Sequence, residues 1–396
     1  MEQLKQKIKL LSAKYKQEII DFRRHLHQNP ELSFEEFQTA AFIKSKLEEF
    51  NIETSYLAGT GVVGVLKGNN PASRTIALRA DMDALPILEQ NHVSYKSVNE
   101  GVMHACGHDV HSSSLLGAAK ILSELRNEFE GTIKFVFQPG EEKLPGGASL
   151  MIEQGVLENP APESIFAQHV FRSMEAGKVG FKSGMYMAST DEVYITVKGK
   201  GGHGAMPHLN IDPVVISAHL IIAMQQLVSR NANPITPTVL SFGKVIANGA
   251  TNIIPNEVKL EGTFRTMDEH WRNQAHEKIK ALATSLTESM GGTCEVNILK
   301  GYPFLVNDQV LTEKAKQNAE EYLGKQNVEE LDIRMTAEDF AFFSQKMPAC
   351  FYRLGTGNKS KNILSPVHTD TFDIDESALE TGMGLMAWLT VCELQK

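Results

Sequence analysis

The chain has 396 residues, 42% hydrophobic and 22% charged, with a formal net charge of -9. This is the balance of a globular protein with more than one domain. The acidic surplus argues against a nucleic-acid partner or an anionic membrane surface, since either needs a basic face. The N-terminal stretch scatters Lys and Glu and lacks the apolar core of a signal peptide. No segment approaches the ~18 apolar residues of a membrane span. Four widely spaced cysteines (Cys106, Cys294, Cys350, Cys392) form no disulfide framework. The expected location is therefore cytoplasmic.

A helix is predicted over 3–27, apolar at Leu4, Ile8, Leu11, Ile19, Phe22 and Leu26 and ended by Asn29-Pro30. A second is expected from Ser33 to Phe50, with Ser33 and Glu36 in capping-box spacing. Strands follow at 61–67 and 75–79, then a helix over 110–125 with Asp109 as its N-cap. Strand 132–138 runs into Pro139-Gly140-Glu141-Glu142; a helix over 147–154 and a strand over 164–169 come next. This alternation predicts an α/β fold with a mixed, largely parallel sheet that presents its motifs at the C-terminal ends of strands. After Gly184 the order becomes β-α-β-β-α-β: strand 191–198, helix 211–229, strands 239–245 and 257–266, helix 269–290 and strand 294–300. That is the split βαβ pattern of a ferredoxin-like α+β domain. The α/β pattern then resumes, with helices near 308–323 and 376–394 and a strand at 349–354. The expected division is 1–183 with 301–396 as one discontinuous domain and 184–300 as an insertion.

The chemistry lies in two short motifs. Ala105-Cys106-Gly107-His108-Asp109 sets a thiol and an imidazole two residues apart, and Glu141-Glu142 follows an apolar strand. With His169 and His368, both in turn-prone or strand-terminal settings, the candidate metal ligands are Cys106, His108, Glu142, His169 and His368. Five ligands exceed the needs of one tetrahedral zinc, so two cations sharing a bridging ligand fit the count better. A thiolate favours borderline-soft ions over calcium or magnesium. The other carboxylate of the Glu pair is then available as a proton shuttle. Asp83 is a candidate for orienting a ligating imidazole, Asp81 is ambiguous, and His25, His27, His92, His219, His270 and His276 are given no role.

The chain resembles the aminoacylase/carboxypeptidase family of two-metal peptidases, and within it the amidohydrolase branch. The resemblance rests on Asn29–Glu36, Arg79-Ala80-Asp81-Met82-Asp83-Ala84-Leu85-Pro86, Met103–Asp109, Gln138–Glu142, Gly202-His203-Gly204-Ala205-Met206-Pro207-His208, Thr251–Pro255, Gly262-Thr263-Phe264-Arg265, Ala337-Glu338-Asp339-Phe340 and His368. It implies a phosphorylase/hydrolase-like catalytic domain with an inserted lid that mediates homodimerisation or higher self-association. It also implies two divalent metal ions, zinc or manganese with cobalt or nickel as alternatives. Cys106 would be the bridging ligand and Glu141 the general base. His203 would stabilise the oxyanion, and Asn252 and Arg265 would hold the substrate carboxylate. The implied activity is hydrolysis of N-acyl amino acids. A dipeptidase or carboxypeptidase of the same fold is the alternative, with a non-catalytic binding protein behind it.

Overall fold

The computed structural model describes residues 1–395. Helix α1 (Glu2–Gln28) buries Leu4, Ile8, Ile19, Phe22 and Leu26, most of the predicted stripe. After it come α2 (Phe37–Glu49), β1 (Glu53–Leu57), β2 (Gly61–Lys67), β3 (Thr75–Asp81), α3 (His108–Glu124), β4 (Thr132–Gln138), α4 (Gly147–Glu153), β5 (Ser164–Glu175) and β6 (Val179–Phe181). Strand β7 (Gly184–Met187) precedes β8 (Asp191–Lys198), β9 (Gly202–His203), α5 (Pro213–Gln226), β10 (Thr238–Ile246), β11 (Ile253–Ile254), β12 (Glu257–Thr266), α6 (Glu269–Ser289) and β13 (Thr293–Lys300). The chain finishes with β14 (Leu305–Asn307), α7 (Gln309–Leu323), β15 (Val328–Glu330), α8 (Ala341–Ser344), β16 (Ala349–Gly357) and α9 (Ala378–Leu394).

The chain forms two compact units. One comprises Met1–Gly184, Val306–Asp332 and the residues from Phe342 onward; the other comprises Met185–Leu305 and Ile333–Ala341. The expected run 301–396 is thus divided. Residues 333–341 join the second unit because Ala188 donates its N–H to the Arg334 and Thr336 carbonyls, a long-range pairing with no local sequence signal.

The first unit is built on a mixed sheet in the order β1-β2-β4-β3-β5-β16-β6-β15. Pairing is parallel from β4 through β3 and β5 to β16, and again between β6 and β15. It is antiparallel at β1-β2, β2-β4 and β16-β6. Strands β3, β4 and β16 are buried at every residue, as strands covered on both faces must be. Helix α9 is apolar around its whole circumference and almost wholly buried, which suits a core helix. Among the described residues no helix is long and apolar enough to cross a membrane.

The second unit has an antiparallel sheet in the order β10-β12-β8-β13. Val193, Ile195 and Val197 alternate inward from β8 and meet Leu220 of α5 and Ile279 of α6 in one core. Buried Asp191 accepts from Arg272 Nε at 2.9 Å and Gly301 N at 3.1 Å, and lies 2.7 Å from His276 Nε2. His276 therefore braces the fold.

Three sequence expectations change. Helix α2 begins at Phe37, not Ser33. Its first N–H groups are satisfied by the Glu31 carboxylate, which accepts from Gln38 N and Thr39 N at 3.2 and 2.9 Å, so the capping box does not form. Asp109 lies inside the first turn of α3, and Gly107 is the N-cap. The buried Asp109 carboxylate instead accepts from Arg23 Nε at 2.8 Å and sits 2.8 Å from His27 Nδ1. Strand β5 continues past His169 to Glu175, because the parallel partner β16 extends beside it.

Gly107 has φ +83, and a Cβ there would lie 2.7 Å from Val170 Cγ2. Gly107→Ala should therefore destabilise the first unit by roughly 1–3 kcal/mol through overpacking, in addition to backbone strain. The measurement is a urea denaturation midpoint; an unshifted midpoint contradicts this packing.

Candidate metal centre

The site of the first unit is assembled from strand ends and a helix start. Strand β3 ends at Asp81, with Asp83 two residues on. Strand β4 ends at Gln138, immediately before the turn that carries Glu141 and Glu142. Cys106 precedes the left-handed Gly107, and His108 opens α3. His169 lies in β5. His368 comes from an irregular segment that is pinned back by its own N–H, which donates to Ala105 O at 2.7 Å. His368 itself has φ +63, a conformation costly for any residue with a Cβ.

These five side chains meet. Cys106 Sγ is 3.5 Å from His169 Nε2, and Glu142 Oε1 is 3.1 Å from His368 Nε2. His108 Nε2 stands 4.0 Å from both Glu141 Oε2 and Glu142 Oε1. Cys106, His108 and His169 offer ligand atoms within 4.8 Å of one another, as do Cys106, Glu142 and His368. The two triplets share Cys106. A further triplet joins His108 with Glu141 and Glu142.

The donors fit a divalent cation. His108 Nε2 is buried and makes no hydrogen bond, a costly condition unless a cation satisfies it, and Glu142 Oε1 faces only the His368 ring at 3.1 Å. The ring nitrogens on the far side are used. His108 Nδ1 is 3.1 Å from Asp83 Oδ1, and His169 Nδ1 donates to Val170 O at 2.9 Å. Each imidazole therefore directs Nε2 into the cluster, the pattern of metal-ligating histidines with an orienting partner. Asp83 also accepts from Ser33 Oγ at 2.6 Å and Glu142 N at 3.0 Å. Burial would raise the Asp83 pKa, but these bonds outweigh it and hold it below the usual carboxylate value.

Three of the donors have raised proton affinity. Burial pushes the Cys106 thiol up. The Cys106 sulfur and then the Glu142 carboxylate push His368 up to about 10. Burial opposes charge on His108, yet Asp81 and Cys106 carry its pKa well above the usual imidazole value. His169 is the exception: burial, with Arg353 and His111 nearby, holds it well below that value.

His111 escaped the sequence reading. It is buried beside His169, with ring centroids 4.6 Å apart. Its Nδ1 lies 2.5 Å from Asp81 Oδ1, and its Nε2 accepts the Val170 N–H at 2.9 Å. Asp81 Oδ2 accepts from Arg79 Nη1 at 2.6 Å, and Arg79 Nε donates to Gln138 Oε1 at 2.9 Å. This chain ties the ends of β3 and β4 to the stretch of β5 that carries His169. The available signal was the i, i+3 spacing from His108, which puts both rings on one face of α3.

The remaining predicted residues belong to the second unit. His203 is exposed in β9, opposite Ile253 of β11. Its Nδ1 accepts from Ala205 N at 3.1 Å, which leaves the ring proton on Nε2 as a donor. Exposed Asn252 is its neighbour, accepting the Gly204 N–H at 2.8 Å. Arg265 lies in β12; its Nη1 is buried without a hydrogen-bond partner, and burial lowers its pKa.

The chain is similar to proteins of one family along most of its length. The family profile described as peptidase family M20/M25/M40 matches residues 77–390. An N-acyl-L-amino acid amidohydrolase of Geobacillus stearothermophilus is 43% identical over 304 residues, covering 76% of this chain and 81% of that protein. Thermostable carboxypeptidase 2 of Saccharolobus solfataricus is 38% identical over 377 residues, 94% of each chain. A solved Bacillus subtilis protein described as a dinuclear metal-binding peptidase of family M20 has 33% identity and a TM-score of 0.84, covering 97% of this chain and 99% of that one. With a buried Cys/His/Glu cluster on a mixed α/β sheet and this breadth of likeness, the chain belongs to peptidase family M20/M25/M40.

Proposed function

We propose that the protein is an amidohydrolase that cleaves the amide bond of N-acyl amino acids, N-acetyl or aromatic acyl, releasing a carboxylic acid and a free amino acid. The observation that carries this reading is the pair of donor triplets sharing Cys106, with Glu141 beside them. Cys106, His108, Glu142, His169 and His368 would hold two divalent cations, with Cys106 as the thiolate donor common to both triplets. The mixed thiolate, imidazole and carboxylate set supports zinc or manganese, with cobalt or nickel as alternatives. A divalent cation bound by these residues would supply Lewis-acid polarisation of the amide carbonyl and lower the pKa of a water.

The protein's own groups do the rest. Glu141 takes the proton from the attacking water and passes it to the leaving amine. Its neighbour Glu142 has its N–H on Asp83 and its carboxylate facing His368, so the two adjacent side chains can take different tasks. His203, as an Nε2–H donor, would stabilise the oxyanion. Arg265, with an unpartnered buried N–H edge, would clamp the substrate carboxylate with Asn252.

The β-α-β-β-α-β order with strands β10-β12-β8-β13 supports reading the second unit as a ferredoxin-like lid. Exposed Val214, Val215 and Ile222 on α5 support self-association through it. The net charge of -9 supports a small-molecule substrate without a nucleic-acid or membrane partner, and the free cysteines support a cytoplasmic setting. The Saccharolobus relative favours carboxypeptidase action as the second reading. A panel of N-acyl amino acids against dipeptides, with metal-loaded protein, separates the two.

Glu141→Gln should cut kcat by about 100-fold or more with metal content unchanged; near-normal turnover removes Glu141 from the mechanism. Arg265→Ala should raise KM about 10-fold or more for substrates with a free carboxylate and leave ester-capped ones unaffected. Equal effects on both classes contradict the clamp. Cations must displace the protons whose affinity is raised at Cys106, His108 and His368. Metal affinity measured by equilibrium dialysis should therefore rise from about pH 6 to about pH 9, and a flat profile contradicts that ligand set.

A further inference from the structure

We infer that the loop Ser33–Glu36 is a clamp that sets the position of Glu141, with Glu36 as its principal positioning residue; this rests on the proposed role of Glu141 as general base. Glu36 is a fully buried carboxylate in a part of the chain that supplies no metal ligand. Its Oε1 accepts two backbone N–H groups, Phe34 N at 2.9 Å and Gly140 N at 2.8 Å. Its Oε2 accepts the Thr60 hydroxyl at 2.6 Å. The Gly140 bond is the informative one, because Gly140 immediately precedes Glu141 and lies 104 residues from Glu36 in sequence.

Two more contacts grip the same turn. Gly140 has φ +56, and the space its Cβ would fill is occupied by the Phe34 ring, 2.4 Å from that position. Phe34 holds φ +70 to put its ring there, a strained conformation for a non-glycine residue. On the far side, Ser33 Oγ donates to Asp83 Oδ2 at 2.6 Å, and the same oxygen accepts Glu142 N at 3.0 Å. The backbone N–H groups on either side of Glu141 are thus fixed by two buried carboxylates, Glu36 directly and Asp83 with Ser33 behind it. A general base displaced by ~1 Å loses on the order of 100-fold in rate, so this grip bears on turnover as well as on folding.

The test compares three variants of the full-length, metal-loaded protein with wild type, reading kcat, KM, metal content and folded fraction. Glu36→Gln retains an oxygen for both N–H groups, and its amide can donate to Thr60, which rotates to accept. Its kcat should stay within about threefold of wild type. Glu36→Asp keeps the charge but is a methylene too short to reach Gly140, and Glu36→Ala removes the acceptor. Both should lose about 10- to 100-fold in kcat, with KM and metal content within about twofold. Glu36→Asp decides the matter if Glu36→Ala does not fold. The clamp is overturned if Glu36→Asp turns over at the wild-type rate, or if its lost activity only tracks lost folded protein or lost metal. Glu141→Gln run alongside separates the two ideas. If it is inactive while Glu36→Asp is normal, only the clamp fails; if it is active, the role of Glu141 fails first.

Discussion

The structure of the site depends on one buried carboxylate. Asp83 sits within hydrogen-bond distance of His108 Nδ1 and accepts from Glu142 N and Ser33 Oγ. It thereby fixes the orientation of one candidate ligand, the turn that carries Glu141 and Glu142, and the loop behind them. A carboxylate withdrawn from water is destabilising unless its lone pairs are all used. Asp83 meets that condition only when the α3 start, the β4 end and the segment after α1 are all in place. Site geometry and tertiary packing are therefore coupled at this residue.

The same logic runs through its surroundings. Asp81 is tied to Arg79 and His111, Glu36 to Gly140 and Thr60, and Asp109 to Arg23 and His27. Each is a buried carboxylate with named donors, and each links segments far apart in sequence. Beside these networks His108 Nε2 is buried without a hydrogen bond and points at the carboxylates of Glu141 and Glu142, 4.0 Å away. Networks of this kind orient the side chains they touch, as an outer shell does around metal ligands.

Much of this was legible in the chain itself. Strand 132–138 matched β4 residue for residue, because a short run rich in β-branched and aromatic residues between turn signals has few other solutions. Cys106, His108, Glu142, His169 and His368 were chosen from residue type and, mainly, from the family resemblance, and the fold places them in two triplets that share Cys106. What failed was local reasoning about polar residues. Ser33, Glu36 and Asp109 all looked like helix caps, and each bonds a distant segment instead. A capping signature states what a side chain can do locally; it does not know that Asp83, Gly140 and Arg23 will arrive. His111 was missed for the same reason, since its partners Asp81 and Val170 come from two separate strands. The placement of 333–341 with the second unit had no periodic signal to announce it.

The central claim is that the cluster around Cys106 would hold two divalent cations, with the Cys106 sulfur among the donors. X-ray absorption at the metal edge of the fully loaded protein tests it most directly. The account predicts a sulfur scatterer in the metal shell and a second metal at about 3.5–4 Å, with both signals lost in Cys106→Ala. A metal shell of nitrogen and oxygen only, or one without a neighbouring metal, would contradict it.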